Sequence, residues 1–403
     1  MYAIDKEKTF DLVGSSGDHE FDVGIHADTR TVHVARSASG TIKLGAWTLG
    51  SDGSFTGGPA DVVVGQGSRT RIIVFDNHRI VVFWLDSSSA LRMRGYNSGG
   101  ANPGNQKTIA TAIADFDVVD LGITTGVQHG GQGVVVHYAY RQFALTAQGT
   151  GGSWTLYFGA VDDSGDVTID SHASGGSGDK VVLSCASENE SFDGTHPRKA
   201  LTLWRDAAQG LIRTRTWRLA EAAVTPLMAA AETKPLGVGI VHGMSIAPGT
   251  DVFAAVVWPG SSNNTSRLQL VSLAADGTMN VYANTEFPEN PRSFARLQTD
   301  GLDAGVAYVT PDGHLAVAAW RFAAPGSGNA ARSVFAAKTG TEQPTQVRLA
   351  SLIPPSDSDA DPVWLVTLDR VAAGALRLVS WKLHQTLVYG PVGSNPIGIA
   401  TKP

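Results

Sequence analysis

Seven short apolar runs recur along the chain, each ending on a large hydrophobe: Ile42 to Trp47, Leu91 to Tyr96, Leu156 to Val161, Ile212 to Trp217, Leu268 to Leu273, Leu315 to Trp320 and Leu376 to Trp381. Each follows another apolar run, the first members beginning near Val32, Val81, Val134, Ala200, Phe253, Gly305 and Trp364. The repeat is roughly 50 residues long, the period of stacked supersecondary units that cannot bury their faces alone. One continuous body of seven repeats is therefore expected over the 403 residues, rather than the two or three domains that length alone suggests.

Within a repeat the pattern reads as four strands, a to d from the inside outward. In the second repeat, Arg71 to Phe75 is strand a, Asn77-His78 the turn, Arg79 to Leu85 strand b and Leu91 to Tyr96 strand c. Strand d falls in Gly99 to Lys107. Runs rich in β-branched and aromatic residues, punctuated by Gly, Asp, Asn and Ser, favour strands over helices. Only Leu219 to Ala231 has helix-like composition, and its Thr225-Pro226 pair argues against a long helix.

Seven such units arranged radially give an all-β fold, a seven-bladed β-propeller of four-stranded antiparallel blades, which leaves few open sheet edges. The chain resembles seven-bladed propellers with degenerate repeats, and lacks the WD40 and Kelch signatures. Phe21 to Ile25 reads as a first strand a and Lys8 to Val13 as a spare strand d. Mixed terminal strands are therefore expected to close the ring, with Pro396 to Thr401 meeting the N-terminal segment.

Composition narrows the function classes. A formal charge of −6 gives no global attraction to nucleic acid or to an anionic membrane surface. No apolar stretch is long enough to span a bilayer. Residues Met1 to Lys8 mix both charge signs and lack the apolar core of a signal peptide, so secretion would require a leader ahead of this sequence. Cys185 is the only cysteine, which excludes an internal disulfide or a cysteine-based zinc cluster, and its apolar run marks a buried structural thiol. A monomer is expected.

The propeller resemblance implies a ligand face carrying the d-to-a and b-to-c connections. There the sequence offers Glu20 with Asp22, Arg69 with Arg71, Lys107, Lys180, Lys234, Arg292 and Lys338, a ring rich in cations that would concentrate an anionic ligand. The b-to-c connections add Arg36, Asp86, Tyr140 with Arg141, Arg205 with Asp206, Trp258 and Asp369 with Arg370. Aromatics beside Arg and Asp suit a sugar, whose apolar faces stack and whose hydroxyls take bidentate partners. Two connections read as enlarged, Arg141 to Ser153 and Pro259 to Ser266, and long loops on one rim are where specificity is expected.

The leading expectation is a ligand-binding propeller for a carbohydrate or other polar or anionic small molecule, through Arg36, Arg71, Asp86, Arg141, Arg205, Trp258 and Arg370. The alternative is a lyase- or hydrolase-type enzyme. His137, Tyr140 and Arg141 are its candidate catalytic set, because propeller polysaccharide lyases combine a His or Tyr base with an Arg that neutralises the uronate. A protein-interaction scaffold is the third reading.

No cofactor is expected. His26, His78, His129, His196 and His242 fall near a-to-b connections but share no register, and no HExxH or His-x-His spacing appears, so a channel metal has little support. Asp-Gly pairs at Ser51 to Gly53, Asp163 to Gly165, Ala275 to Gly277 and Pro311 to Gly313 resemble fragments of calcium-binding repeats or sialidase Asp-boxes without their full spacing. They read as turns with a positive-φ glycine. Asp115 and Asp117 share one strand face, where two carboxylates can hold a cation or act as acid and base.

Overall fold

The structure is a computed structural model. It describes residues 2–12, 18–26, 28–58, 61–75, 79–97, 103–129, 135–186, 198–206, 208–209, 211–220, 222–229, 231–233, 242–246, 252–259, 266–274, 276–287, 291–296, 303–309, 313–321, 332–338, 344–352, 363–371 and 374–385. These residues form strands and turns only, so among them no helix is long and apolar enough to cross a membrane. The segment read as helix-like instead leaves the sheet at Leu219 and returns as two short strand pieces, as Thr225-Pro226 dictates.

Thirty strands make seven antiparallel sheets among the described residues. The first sheet holds β2 (Asp18–His26), β3 (Thr31–Ala38), β4 (Thr41–Leu49) and a split outer strand, β5 (Phe55–Gly57) with β6 (Val62–Gln66). The second holds β7 (Ser68–Val74), β8 (Ile80–Leu85), β9 (Leu91–Tyr96) and β10 (Pro103–Ala110). The third holds β11 (Ile113–His129), β12 (Val135–Gly149), β13 (Ser153–Val161) and β14 (Val167–Ser177). The fourth holds β15 (Asp179–Ala186), β16 (Arg198–Asp206), β17 (Leu211–Leu219), β18 (Val224–Pro226) and β19 (Ala231–Thr233).

The fifth sheet runs β20 (His242–Ile246), β21 (Val252–Pro259), β22 (Ser266–Leu273), β23 (Met279–Phe287). The sixth runs β24 (Pro291–Arg296), β25 (Asp303–Val309), β26 (Leu315–Arg321), β27 (Arg332–Lys338). The seventh takes β28 (Gln346–Leu352), β29 (Val363–Arg370) and β30 (Leu376–Gln385), with β1 (Tyr2–Asp11) from the other end of the chain as its outermost strand. The first strands touch in the order β2, β7, β11, β15, β20, β24, β28, and β28 touches β2 again. That cycle of radial sheets is a β-propeller, closed by mixed terminal strands.

Apolar packing lies between neighbouring sheets. Phe21, Val23, Trp47 and Trp364 join the first sheet to the seventh; Ile42, Val64, Val82 and Trp84 join the first to the second. Phe83, Met93, Phe143 and Val161 join the second to the third. Both faces of a middle strand are thus covered, which is why β8 is apolar and buried at every position. The recurrent hydrophobe ending the third strand fills these wedges: Trp47, Tyr96, Val161, Trp217 and Trp381 are all buried. Two of the indoles are also tied to the neighbouring strand, Trp217 Nε1 donating to Thr202 Oγ1 at 2.8 Å and Trp381 Nε1 to Thr367 Oγ1 at 3.0 Å.

The Asp-Gly turns between third and fourth strands are spacers between sheets. In the third sheet, Asp162 Oδ1 accepts from the Ser164 and Asp166 amides, at 2.9 and 2.8 Å, and Gly165 takes φ +85. The turn seats on the second sheet, where a Cβ on Gly95 or on Gly104 would stand 2.1 Å from the Gly165 carbonyl oxygen. Asn105 N donates to Asp166 Oδ1 at 2.8 Å, and Val167 N donates to Asn105 Oδ1 at 3.0 Å, fastening it. The equivalent turn of the first sheet lies on the closing sheet, with the Gly53 carbonyl accepting from Ser380 Oγ at 2.7 Å while Ser380 Oγ accepts from Lys8 N at 3.1 Å. Gly277 meets Leu227 of the fourth sheet in the same way. In each of these three turns one aspartate oxygen, Oδ1 of Asp52, Asp162 or Asp276, accepts a backbone amide of its own turn.

Candidate functional site

First strands present their N-terminal ends at the rim that also carries the second-to-third-strand turns. From four adjacent first strands, β28, β2, β7 and β11, that rim receives Gln346 and Arg348, Glu20 and Asp22, Arg69 and Arg71, and Asp115 and Asp117. Alternation explains the set. Phe21 and Val23 are buried toward the seventh sheet while Glu20 and Asp22, one residue out of step, remain partly open.

The groups are linked in a chain around the mouth. Gln346 Nε2 donates to Glu20 Oε2 at 3.4 Å, and Arg348 Nε donates to the Phe21 carbonyl at 3.3 Å. The same Nε lies 3.8 Å from Asp22 Oδ1, and Asp22 Oδ2 accepts from Ile72 N at 3.0 Å. The Arg71 guanidinium lies 5.9 Å from the Phe116 ring centroid, and Arg69 pairs with Asp115 at 2.6 Å. Burial pulls Arg348 down to about 10, with Arg71 acting in the same direction and Asp22, Glu20 and Asp117 opposing it. Acid and base alternate here, so the described part of the mouth is not the cationic ring expected from sequence. Lys107 falls in the outer strand β10, and the side chains of Lys180, Arg292 and Lys338, with the whole of Lys234, lie outside the described residues.

The other expected positions sort by what they already touch. Arg36 is buried in β3 with Nη2 2.6 Å from Asp61 Oδ2. Asp86 closes its turn: Oδ1 accepts from Ser88 N at 2.8 Å, Ser88 Oγ at 2.6 Å and Ala90 N at 3.0 Å, while Oδ2 accepts from Arg92 Nε at 2.8 Å. Burial opposes its charge, but the bonds from Ser88, Ala90 and Arg92 outweigh it and hold the carboxyl well below the usual range.

The pairing recurs as Asp206 with Arg213 at 2.9 Å and, fully buried, Asp369 with Arg377 at 2.7 Å, so it belongs to the sheet. Arg370 ends β29 with its guanidinium 5.6 Å from the Phe21 ring centroid, and Arg205 is partly buried near the end of β16. Trp258 lies in β21 opposite Arg267, its side chain outside the described residues, as are residues 260–265 of the enlarged fifth-repeat connection.

Arg141 requires a correction. The stretch read as a long connection from Arg141 to Ser153 is the continuation of β12, which runs to Gly149 and turns in Thr150 to Gly152. Arg141 pairs with Val161 at the far end of β13, and its Nη1 lies 2.8 Å from Asp163 Oδ1, on the rim opposite the mouth. Burial, relieved by Asp163, lowers the Arg141 pKa. Tyr140 and His137 face Thr124 and Val127 in a two-stranded extension of β11 and β12 past the point where β13 stops; their side chains are outside the described residues. The structure therefore does not bring His137, Tyr140 and Arg141 to the mouth.

Among the histidines, His26 is buried and accepts the Thr29 amide at Nδ1, 3.2 Å away; His78 and His196 lie outside the described residues, as do the side chains of His129 and His242. Sequence reasoning missed Arg348 and Gln346 because Gln346-Val347-Arg348-Leu349 alternates like any half-buried strand.

No family model matches the chain, and no curated protein matches it. Solved structures similar to it include a triple arginine-to-alanine mutant of AofleA from Arthrobotrys oligospora, 10% identical, TM-score 0.45, covering 95% of this chain and 90% of that one. The WD40 domain of SCAP from fission yeast is 10% identical with TM-score 0.43, covering 94% of each chain. A fungal lectin from Aleuria aurantia, described as a six-bladed β-propeller with a novel fucose recognition mode, is 14% identical with TM-score 0.41, covering 81% of this chain and 97% of that one. At such identities and scores the ligand has to be argued from the site.

Proposed function

We propose that the chain is a seven-bladed β-propeller that binds a carbohydrate, or another polar small molecule rich in hydroxyls, at the channel mouth. Arg71 is the one sequence-expected ligand residue in that cluster; Glu20, Asp22, Asp117, Gln346 and Arg348 complete it. The observation that carries the reading is the alternation of carboxylate, guanidinium and amide on four adjacent first strands. Vicinal hydroxyls both donate and accept, and planar bidentate groups of both kinds in one place match them better than a single charge sign does. A rigid strand platform also keeps these side chains near one geometry, which lowers the entropy lost on binding.

The test is a glycan array with wild type, followed by calorimetric titration of the glycans retained. Asp22→Asn and Arg348→Met should each weaken binding by about tenfold or more, the value of one charged hydrogen bond. A blank array, or retained glycans whose affinity both variants leave unchanged, would remove the mouth as the binding site.

A further inference from the structure

The third sheet carries a feature that the mouth does not use. Its first two strands continue past β13, which stops where Val161 pairs with Arg141. They run on as a two-stranded ribbon, from the pair Ile123 and Arg141 to the pair His129 and Val135. At about 3.3 Å per residue these seven pairs span about 23 Å, starting at the rim opposite the mouth. The root is firm: Leu121 is fully buried, and Arg141, itself buried, has Nη1 2.8 Å from Asp163 Oδ1.

Among the described residues no strand pairs with Val135 to Tyr140 on the side away from β11. A two-stranded ribbon is at best marginally stable in water, and a third strand is the usual remedy.

The molecule treats its other sheet edges differently. In sheets two, three, five, six and seven a bulge interrupts the pairing of the outermost strand, β10, β14, β23, β27 or β1. In sheets one and four that strand is split, into β5 with β6 and into β18 with β19. Such breaks keep an edge from pairing with another chain. The ribbon has none: Ile123 to His129 pair with β12 without a register shift, and Val135 to Tyr140 contain no proline, Lys, Arg, Asp or Glu. Gln142 to Val161 are equally uncharged, but β12 from Arg141 to Gln148 is paired on both sides. The ribbon thus puts the composition of an interior strand at an open edge.

We propose that this edge is a dimerisation site, at which Val135 to Tyr140 pair antiparallel with the same segment of a second copy of the chain. The two ribbons then form one four-stranded sheet. A two-fold axis normal to that sheet places residues of equal parity opposite each other. Centred on Tyr138, the pairing sets Tyr138 against its copy, Val136 against Tyr140 and His137 against Ala139. Aromatic and β-branched pairs are favourable ones, and no like charges meet at neutral pH. A charged peptide would find no countercharge on this edge, whereas the ribbon itself supplies a matching uncharged strand. A dimer departs from the monomer expected from sequence, because the open edge emerges only where β13 ends.

Light scattering on wild type across a wide concentration range tests the proposal, and should show a reversible dimer. Tyr138→Lys sets like charges opposite each other at the axis and removes the aromatic pair, so it should raise the dimer Kd by about tenfold or more. Tyr138→Phe should leave the Kd unchanged. Directly opposite residues of an antiparallel pair have Cα atoms about 4.5–5.5 Å apart, within disulfide reach. Mild oxidation should therefore cross-link Tyr138→Cys to its copy and leave Tyr140→Cys, which faces Val136, uncrosslinked; wild type, with Cys185 alone, is the blank. Urea midpoints report whether each variant is folded, and if Tyr138→Lys is not, the two cysteine variants decide. A wild type that is monomeric at every concentration, an unchanged Kd in folded Tyr138→Lys, or equal cross-linking of the two cysteine variants would overturn the proposal. Arg348→Met, at the other rim, should dimerise as wild type does, so the glycan result there fails or succeeds independently.

Discussion

Gly95→Ala tests whether turns really set the spacing between sheets. Gly95 lies in β9 with extended backbone, where alanine brings no conformational penalty, so any cost comes from the neighbouring sheet. Its Cβ would stand 2.1 Å from the Gly165 carbonyl oxygen, 3.0 Å from the Gly165 carbonyl carbon and 3.1 Å from Val161 Cγ2. The first contact involves backbone atoms on both sides, so the turn itself must back away. Doing so pulls apart the Asn105 and Asp166 bonds, at 2.8 and 3.0 Å. Overpacking costs about 1–3 kcal/mol and each lost hydrogen bond about 1, giving about 3–5 kcal/mol in all.

Gly40→Ala is the control, because Gly40 has φ +78 and open space around its Cβ position, leaving only left-handed strain of about 1–2 kcal/mol. Urea unfolding of both variants, compared at equal slope, gives the difference. Asn105→Ala keeps its backbone amide and removes only the acceptor of the Val167 N–H, so it should cost about 1 kcal/mol in wild type and much less on the Gly95→Ala background, where that bond is already broken. If Gly95→Ala proves no more harmful than Gly40→Ala, or if Asn105→Ala adds in full, the spacer argument is wrong.

Ser380→Ala should destabilise by about 1–2 kcal/mol and raise amide exchange along β1, since Ser380 Oγ joins the Lys8 amide to the Gly53 carbonyl; unchanged exchange in β1 would count against the link. Asp369→Ala should cost about 3–5 kcal/mol by stranding Arg377, whereas Asp369→Leu with Arg377→Met should be far milder, and equal losses in denaturant midpoint would contradict the pairing. Asp86 is held below its ordinary value of 3.8, so its stabilisation is complete above that pH and drains away below it. Asp86→Asn should therefore be less stable than wild type near neutrality, with the gap narrowing as pH falls toward about 2; parallel midpoint-versus-pH curves would refute the assignment.

The architecture was legible in the sequence because packing between sheets imposes the same demand at every repeat. A third strand that starts after a turn and ends on a wedge-filling side chain leaves a visible period, as Trp47, Trp217 and Trp381 do. What the Asp-Gly turns rest upon was not legible: the partners of Gly165 are Gly95 and Gly104, and nothing in the local sequence points from one sheet to the next.

The mouth was legible only in part. Arg71 and the Asp22 and Asp117 pattern stood out as charge on apolar strands, but Arg348 reads as an ordinary solvent-facing residue until β28 is placed beside β2. Arg141 was assigned to the wrong rim because Tyr140-Arg141-Gln142 interrupts an apolar run, and a buried arginine paired with Asp163 looks in sequence like a break in the strand.

Sharing its outermost strand with the opposite end of the chain gives the seventh sheet a place in the order of folding. Lys8 and Ser380 are hydrogen-bonded across a sequence separation of 372 residues. By the loop-closure relation, joining segments so far apart costs about 3 kcal/mol more than closing a ten-residue hairpin. During synthesis the other sheets can assemble from contiguous sequence while β1 waits unpaired for β30 to be made. Until it arrives, β1 is a bare edge able to pair with another chain, so the interval before ring closure is when association between nascent copies is most favoured.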